Sequence, residues 1–256
     1  MPYVTSTDGT RIAYDRLGGG PAVVLVTGAL DDGTENAPLA EELASSYTVY
    51  NYARRGRGQS GDTPPYAVER EIEDLAALIA AAGGSAHVHG VSSGGALAME
   101  AAAAGVAIAR LATYEVPYFT DEAMLLAWQA YVEDLQVALA DGPRGRALEL
   151  FNRVAGIPEE QIAASGSSPE WTAAVELEQT LAYDAAILGD ARPPVARLAK
   201  IRQPTLVATG GGRFFEPGAD AIAAAIPRSE RVALEGQEHV ADPKVVAQFL
   251  RTFFRA

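Results

Sequence analysis

Gly90-Val91-Ser92-Ser93-Gly94 lies between the strand-like stretch Ala86-His87-Val88-His89 and the helix-forming run Ala96-Leu97-Ala98-Met99-Glu100. A serine between glycines at this junction is the pattern of a nucleophile elbow. The hydroxyl must project above a sheet from a turn so sharp that only small neighbours allow the backbone to fold back. The same turn aims the Ser93 amide and a helix N-terminus at any negative charge forming on a substrate oxygen. A plain small-residue turn would share the spacing, but the strand before it and the helix after it favour the functional reading.

The 256 residues can bury one sizeable core, and 48 % of them are apolar. A net charge of −13 argues against a nucleic-acid partner, which would need basic surface. The chain has no cysteine, so disulfides, thiolate nucleophiles and cysteine metal sites are excluded together. Met1-Pro2-Tyr3-Val4-Thr5-Ser6 does not read as a signal peptide, and no apolar run is long enough for a bilayer. A cytoplasmic location without membrane association is the expectation, and oligomeric state is unreadable.

Around the elbow, segments of opposite periodicity alternate. Tyr3 to Ser6 and Arg11 to Arg16 read as a hairpin through Asp8-Gly9, and Ala22-Val23-Val24-Leu25-Val26 as a strand buried on both faces. A helix over residues 35–45, a strand over 47–52 and a helix over 68–82, closed by Gly83-Gly84, follow. Between the last two lies Arg54-Arg55-Gly56-Arg57-Gly58-Gln59-Ser60-Gly61, which lacks the lysine-serine ending of a phosphate cradle and reads as a structural turn. Leu111 to Tyr114, Thr205 to Thr209 and Arg231 to Leu234 complete the expected strands. A helix over Ala219 to Ala225 and a last one, capped by Asp242 with Pro243 in its first turn, complete the helices.

This alternation predicts an α/β fold with a doubly wound, mostly parallel sheet that binds ligands beyond the strands' carboxyl ends. Residues 118–192 interrupt it with helical stripes alone, such as Leu125, Trp128, Val132, Leu135 and Leu139. The expected division is a core of residues 1–117 and 193–256 with a helical cap of 118–192. Trp128 and Trp171 fall in the cap and read equally as pocket wall or plain core. Leu30 and the Phe214-Phe215 pair are further candidates for the pocket.

A serine nucleophile needs a base, and there are three histidines. His87 and His89 lie two apart on the strand entering the elbow and read as packed core. His239 follows the last strand, where it would overhang the carboxyl edge of the sheet beside Ser92.

The order of elements, the elbow and the late histidine resemble the α/β-hydrolase family across nearly the whole chain. The arginine loop and Glu235-Gly236-Gln237-Glu238-His239 are similar to those of a group of actinobacterial members. That resemblance implies the α/β-hydrolase fold and a serine-acid-histidine order. Thr27-Gly28 replaces the His-Gly usual after the first buried strand, yet the Ala29 amide can still be the second oxyanion donor beside Ser93. Val91 stands where a bulkier residue is common. In most relatives the acid follows the strand equivalent to Thr205 to Thr209, but Gly210-Gly211-Gly212-Arg213 puts an arginine there. Glu115, at the end of the strand after the nucleophile's helix, is the expected acid because some members carry theirs at that strand end. Glu216 is the alternative.

The reading is a cofactor-independent hydrolase, requiring no metal, that cleaves an ester, lactone or related acyl compound of small-molecule size through an acyl-enzyme at Ser92. Epoxide hydrolases and haloalkane dehalogenases of this fold use an aspartate, so Ser92 argues against both. A lyase, isomerase or cyclase in the same pocket, or a non-catalytic ligand-binding homologue, remain the alternatives.

Overall fold

The computed structural model describes residues 1–166 and 168–255. The antiparallel pair β1 (Tyr3–Thr5) and β2 (Arg11–Gly18) leads to β3 (Ala22–Val26), α1 (Ala37–Leu43), β4 (Thr48–Tyr52) and α2 (Val68–Ala81). The elbow joins β5 (Ala86–Val91) to α3 (Ser93–Ala103), and β6 (Ile108–Tyr114) follows. Helices α4 (Glu122–Asp141), α5 (Arg146–Val154), α6 (Glu159–Ser165), α7 (Pro169–Glu176) and α8 (Leu181–Leu188) come next, then the short α9 (Val195–Leu198). The chain ends with β7 (Thr205–Thr209), α10 (Glu216–Ala225), β8 (Ser229–Ala233) and α11 (Pro243–Arg255).

The strands form one eight-stranded sheet in the order β1-β2-β4-β3-β5-β6-β7-β8, parallel from β4 to β8. Side chains alternate across it. Val24, Val26 and Val88 pack with α2, α3 and the inserted helices, whereas Val23, Leu25 and Val49 pack with α1 and α11. Covering both faces leaves the carboxyl edge of the parallel strands open for a site. The inserted helices lie in the same apolar cluster as α3, through Leu125, Trp128, Leu135, Leu181 and Leu188.

Helix boundaries follow local chemistry. Asn36 precedes α1 and Pro38 sits in its first turn; Asp121 Oδ1 accepts from the Ala123 and Met124 amides to start α4. Asp242 Oδ1 accepts from the Lys244 amide at the start of α11. The helix expected from Ala219 begins earlier, at Glu216, because Pro217 fits a first turn. The last strand, expected from Arg231 to Leu234, begins two residues earlier and ends one earlier, pairing Thr205 with Ser229 and Thr209 with Ala233. Helices α6 and α9, of seven and four residues, are too short to carry a readable stripe.

His87 and His89 pack on the α1/α11 face, where the His87 ring stacks on Phe254 at 4.5 Å. The expectation of packed core holds for His89, which is buried, whereas His87 is half-buried; the Nδ1 atom of each is buried without a partner. Burial pushes His89 down to about 4 from an ordinary 6.5. The unfolded chain therefore takes up a proton first as pH falls, so the stability from neutral His89 is whole above about 6.5 and is lost towards pH 4. The full shift corresponds to about 3 kcal/mol. Urea unfolding of the parent and of His89→Leu between pH 7 and 4 should show the parent losing more stability. Parallel pH profiles would refute this.

Candidate active site

The strained backbone gathers at the carboxyl edge. Among the described residues four non-glycine positions have φ in the left-handed region, and three of them are Leu30 (57°), Ser92 (54°) and Glu115 (48°). Such conformations cost of order 1–3 kcal/mol each and persist where the surroundings hold them. At the elbow those surroundings are backbone. A β-carbon on Gly90 would meet the Gly94 carbonyl oxygen at 2.5 Å, and one on Gly94 would meet that of Thr27 at 2.2 Å. One on Gly28 would lie 3.1 Å from Ser92 Cβ, which places the loop after β3 directly beside the serine.

His239 projects from the loop between β8 and α11, and its Nδ1 lies 2.7 Å from Glu115 Oε2. Glu115 Oε1 accepts from the Gly210 amide at 2.8 Å, and the residue is only 3 % exposed. The loop after β7 therefore delivers an amide to Glu115 from the place where relatives would carry the acid. At Gly210 itself there is no room for a side chain, since a β-carbon would meet the Gln237 carbonyl oxygen at 2.3 Å, whereas Arg213 further along the loop is exposed. With Nδ1 engaged by a carboxylate, Nε2 is the nitrogen left to accept a proton. The Phe215 ring stacks on the imidazole at 5.2 Å between centroids. Glu216 lies in the first turn of α10 and has no bond to His239.

Ser92, Ser93, Ala29 and His239 open onto a cavity of about 1550 Å³. Leu30, Trp128, Trp171, Phe214 and Phe215 all line it. Trp128 is both wall and core, being 6 % exposed with its Nε1 donating to the Gly189 carbonyl at 2.8 Å. Phe214, by contrast, is 48 % exposed at the rim. Among the described residues no group of three or more histidine or acidic side chains is placed to hold a metal ion.

The arginine loop is a turn, but its side chains run inward. Arg54, Arg55 and Arg57 are fully buried. Arg55 pairs with Asp74 at 2.8 Å and Asp8 at 2.8 Å. Arg54 forks onto Glu71 at 2.7 and 2.8 Å and reaches Asp184 of α8 at 2.8 Å. Arg57 Nη2 donates to both Asp184 oxygens at 2.8 Å, and its Nη1 donates to the Gly28 carbonyl. Ser93 Oγ donates to Asp184 Oδ1 at 2.7 Å. Burial alone would raise the Asp184 carboxyl, but Arg57 and Arg54 hold it below the ordinary value. Removing one member of a buried pair like these typically costs about 3–5 kcal/mol. The signal available in sequence was Asp184 itself, an acid inside the apolar run Leu181-Ala182-Tyr183-Asp184-Ala185-Ala186-Ile187-Leu188.

A profile of the alpha/beta hydrolase family matches residues 23–249. The chain belongs to that family. Among solved structures it is similar to an alpha/beta hydrolase from Sphaerobacter thermophilus, with 47 % identity and a TM-score of 0.91 over 99 % of this chain and 100 % of that one. A thermophilic esterase from Thermogutta terrifontis is 25 % identical, with a TM-score of 0.72 over 99 % of this chain and 97 % of the other. RutD of Azorhizobium caulinodans, to which a carbamate hydrolase activity is ascribed, is 29 % identical over 221 residues, 81 % of this chain and 79 % of the relative. These likenesses support hydrolase activity. Among the described residues no helix is long and apolar enough to cross a membrane.

Proposed function

We propose that the protein is a cofactor-independent serine hydrolase that cleaves a carboxylic ester, lactone or related acyl compound through an acyl-enzyme at Ser92. The observation that carries this reading is the 2.7 Å contact between His239 Nδ1 and Glu115 Oε2, at the sheet edge that also presents Ser92 in its strained turn. His239 Nε2 takes the hydroxyl proton as Ser92 Oγ attacks the acyl carbon. The ring then returns that proton to the leaving alcohol. Water repeats the sequence on the acyl-enzyme, releasing the acid and freeing Ser92. The Ala29 and Ser93 amides hold the oxyanion in both halves.

The esterase and carbamate-hydrolase relatives support acyl transfer to water as the reaction class. The cavity supports a bulky substrate, for about 1550 Å³ exceeds the roughly 300–1,000 Å³ usual for small-molecule pockets. Its aromatic wall favours an apolar acyl or alcohol portion. A residual binding role with no chemistry is disfavoured by the engaged His239-Glu115 pair, which holds a buried carboxylate on a strained backbone against a half-exposed imidazole.

Treatment with a fluorophosphonate followed by peptide mass spectrometry tests the reading. Stoichiometric labelling of Ser92, weakened by His239→Ala, is the expected result; folded protein that takes up no label would sink the proposal. The oxyanion assignment has its own test. Ala29→Pro removes one amide hydrogen, and a folded variant should turn over an activated ester about 10²- to 10³-fold more slowly. Parental turnover would remove Ala29 from the site.

A further inference from the structure

The two amides assigned to the oxyanion come from separate parts of the chain, the loop after β3 and the start of α3, and one cap carboxylate is bonded towards both. On the α3 side the link is direct, from Ser93 Oγ to Asp184 Oδ1 at 2.7 Å. On the β3 side it passes through Arg57, whose Nη2 holds Asp184 while Nη1 donates to the Gly28 carbonyl. Arg54 Nη1 adds a longer contact to the Thr27 carbonyl at 3.4 Å.

The Gly28 carbonyl and the Ala29 amide belong to one planar trans peptide, so they point in opposite directions. A guanidinium fixing the carbonyl on the buried side therefore aims the amide hydrogen out towards Ser92. A charged donor on the carbonyl also polarises the peptide and strengthens the amide as a donor. We propose that Asp184 is a positioning residue, which through Arg57 and the Ser93 side chain sets the Ala29 and Ser93 amides relative to one another and makes α8 of the cap part of the oxyanion hole's support. The proposal rests on the hydrolase reading above. It gives buried Arg57 and Arg54 a task that packing alone does not require. Stacking of Tyr183 on Tyr66 at 3.9 Å seats the same helix beside the same loop.

The test compares Asp184→Asn and Ser93→Ala with the parent on an activated ester and on its thionoester, in which sulfur replaces the carbonyl oxygen. A hole aligned for oxygen favours the ester, so misaligned amides shrink that preference, whereas a loosened cap alters binding of both substrates alike. Asp184→Asn should lower kcat on the ester about 10²-fold, with KM within about threefold and the oxygen-over-sulfur preference cut about tenfold. Ser93→Ala keeps every backbone amide and ion pair, and it should lower kcat in the same direction by about tenfold. Should Asp184→Asn fail to fold, Ser93→Ala decides the matter. Parental kcat and preference in the folded variants, or losses confined to KM, would overturn the inference while leaving the hydrolase reading intact. A parent inert to both substrates and to the fluorophosphonate would overturn both.

Discussion

Ser92→Ala is expected to lower kcat on an activated ester by about 10⁶-fold, His239→Ala by a similar factor, and the double variant by no more than either alone. The reason is that nucleophile and base act as a unit: without Oγ there is nothing for the imidazole to deprotonate, and without the imidazole the hydroxyl remains a poor nucleophile. A residual rate of about 10³- to 10⁴-fold over the uncatalysed reaction should persist, because the oxyanion amides and the cavity remain. Pre-steady-state kinetics with an activated ester should show a burst of alcohol in the parent and none in Ser92→Ala. Neither change strains the fold, since Ser92 is only partly buried and the His239 side chain is 47 % exposed. A Ser92→Ala variant retaining a tenth of parental turnover would place the chemistry elsewhere. Full loss of turnover without a burst or label in the parent would favour a lyase, isomerase or cyclase.

What could be read beforehand depended on how local the cause was. The strand β3 announces itself because a strand covered on both faces shows an unbroken apolar run, and the elbow because Gly90 must clear the Gly94 carbonyl just beyond the serine, although Gly94 itself is forced by the distant Thr27 carbonyl. The meeting of His239 with Glu115 was legible from chain order together with the resemblance, some members of the family carrying an acid at the end of that strand. The arginine loop was legible as a turn but not as a buried one. Gly and Arg together usually mark solvated chain, and the burial of Arg54 and Arg57 depends on Asp184, which lies 130 and 127 positions away. Nor does the spacing of Trp128 and Trp171 say that one seals the core while the other stays half-buried, since that depends on how short helices α5 to α7 pack. Both outcomes arise from long-range contacts, which periodicity does not report.

Glu115→Gln is expected to lower kcat by as much as about 10⁴-fold, while Glu216→Gln stays near the parental rate. The substitution keeps the shape of a side chain that is 3 % exposed, and its amide oxygen can still accept from Gly210. What changes is the atom facing His239. An amide nitrogen at the Oε2 position is a donor, so Nδ1 must become the acceptor and the ring's proton moves to Nε2. That tautomer cannot take the Ser92 proton, and no carboxylate remains to stabilise the imidazolium that the reaction forms. The unusual backbone at Glu115, with φ of 48°, is held by the hydrogen bond its N–H donates to the Ala208 carbonyl at 3.0 Å, so the carboxylate's placement does not depend on its charge. Glu216 offers no such contact, and its loss removes only a first-turn acid from α10. The measurement is kcat and KM for both variants on one activated ester at fixed pH, after matched urea unfolding confirms the fold. A large loss confined to Glu216→Gln would move the acid to the loop after β7 and require that loop to close over His239 during turnover. Near-parental rates in both would leave Ser92 and His239 working as a dyad, with Glu115 reduced to a structural partner of the imidazole.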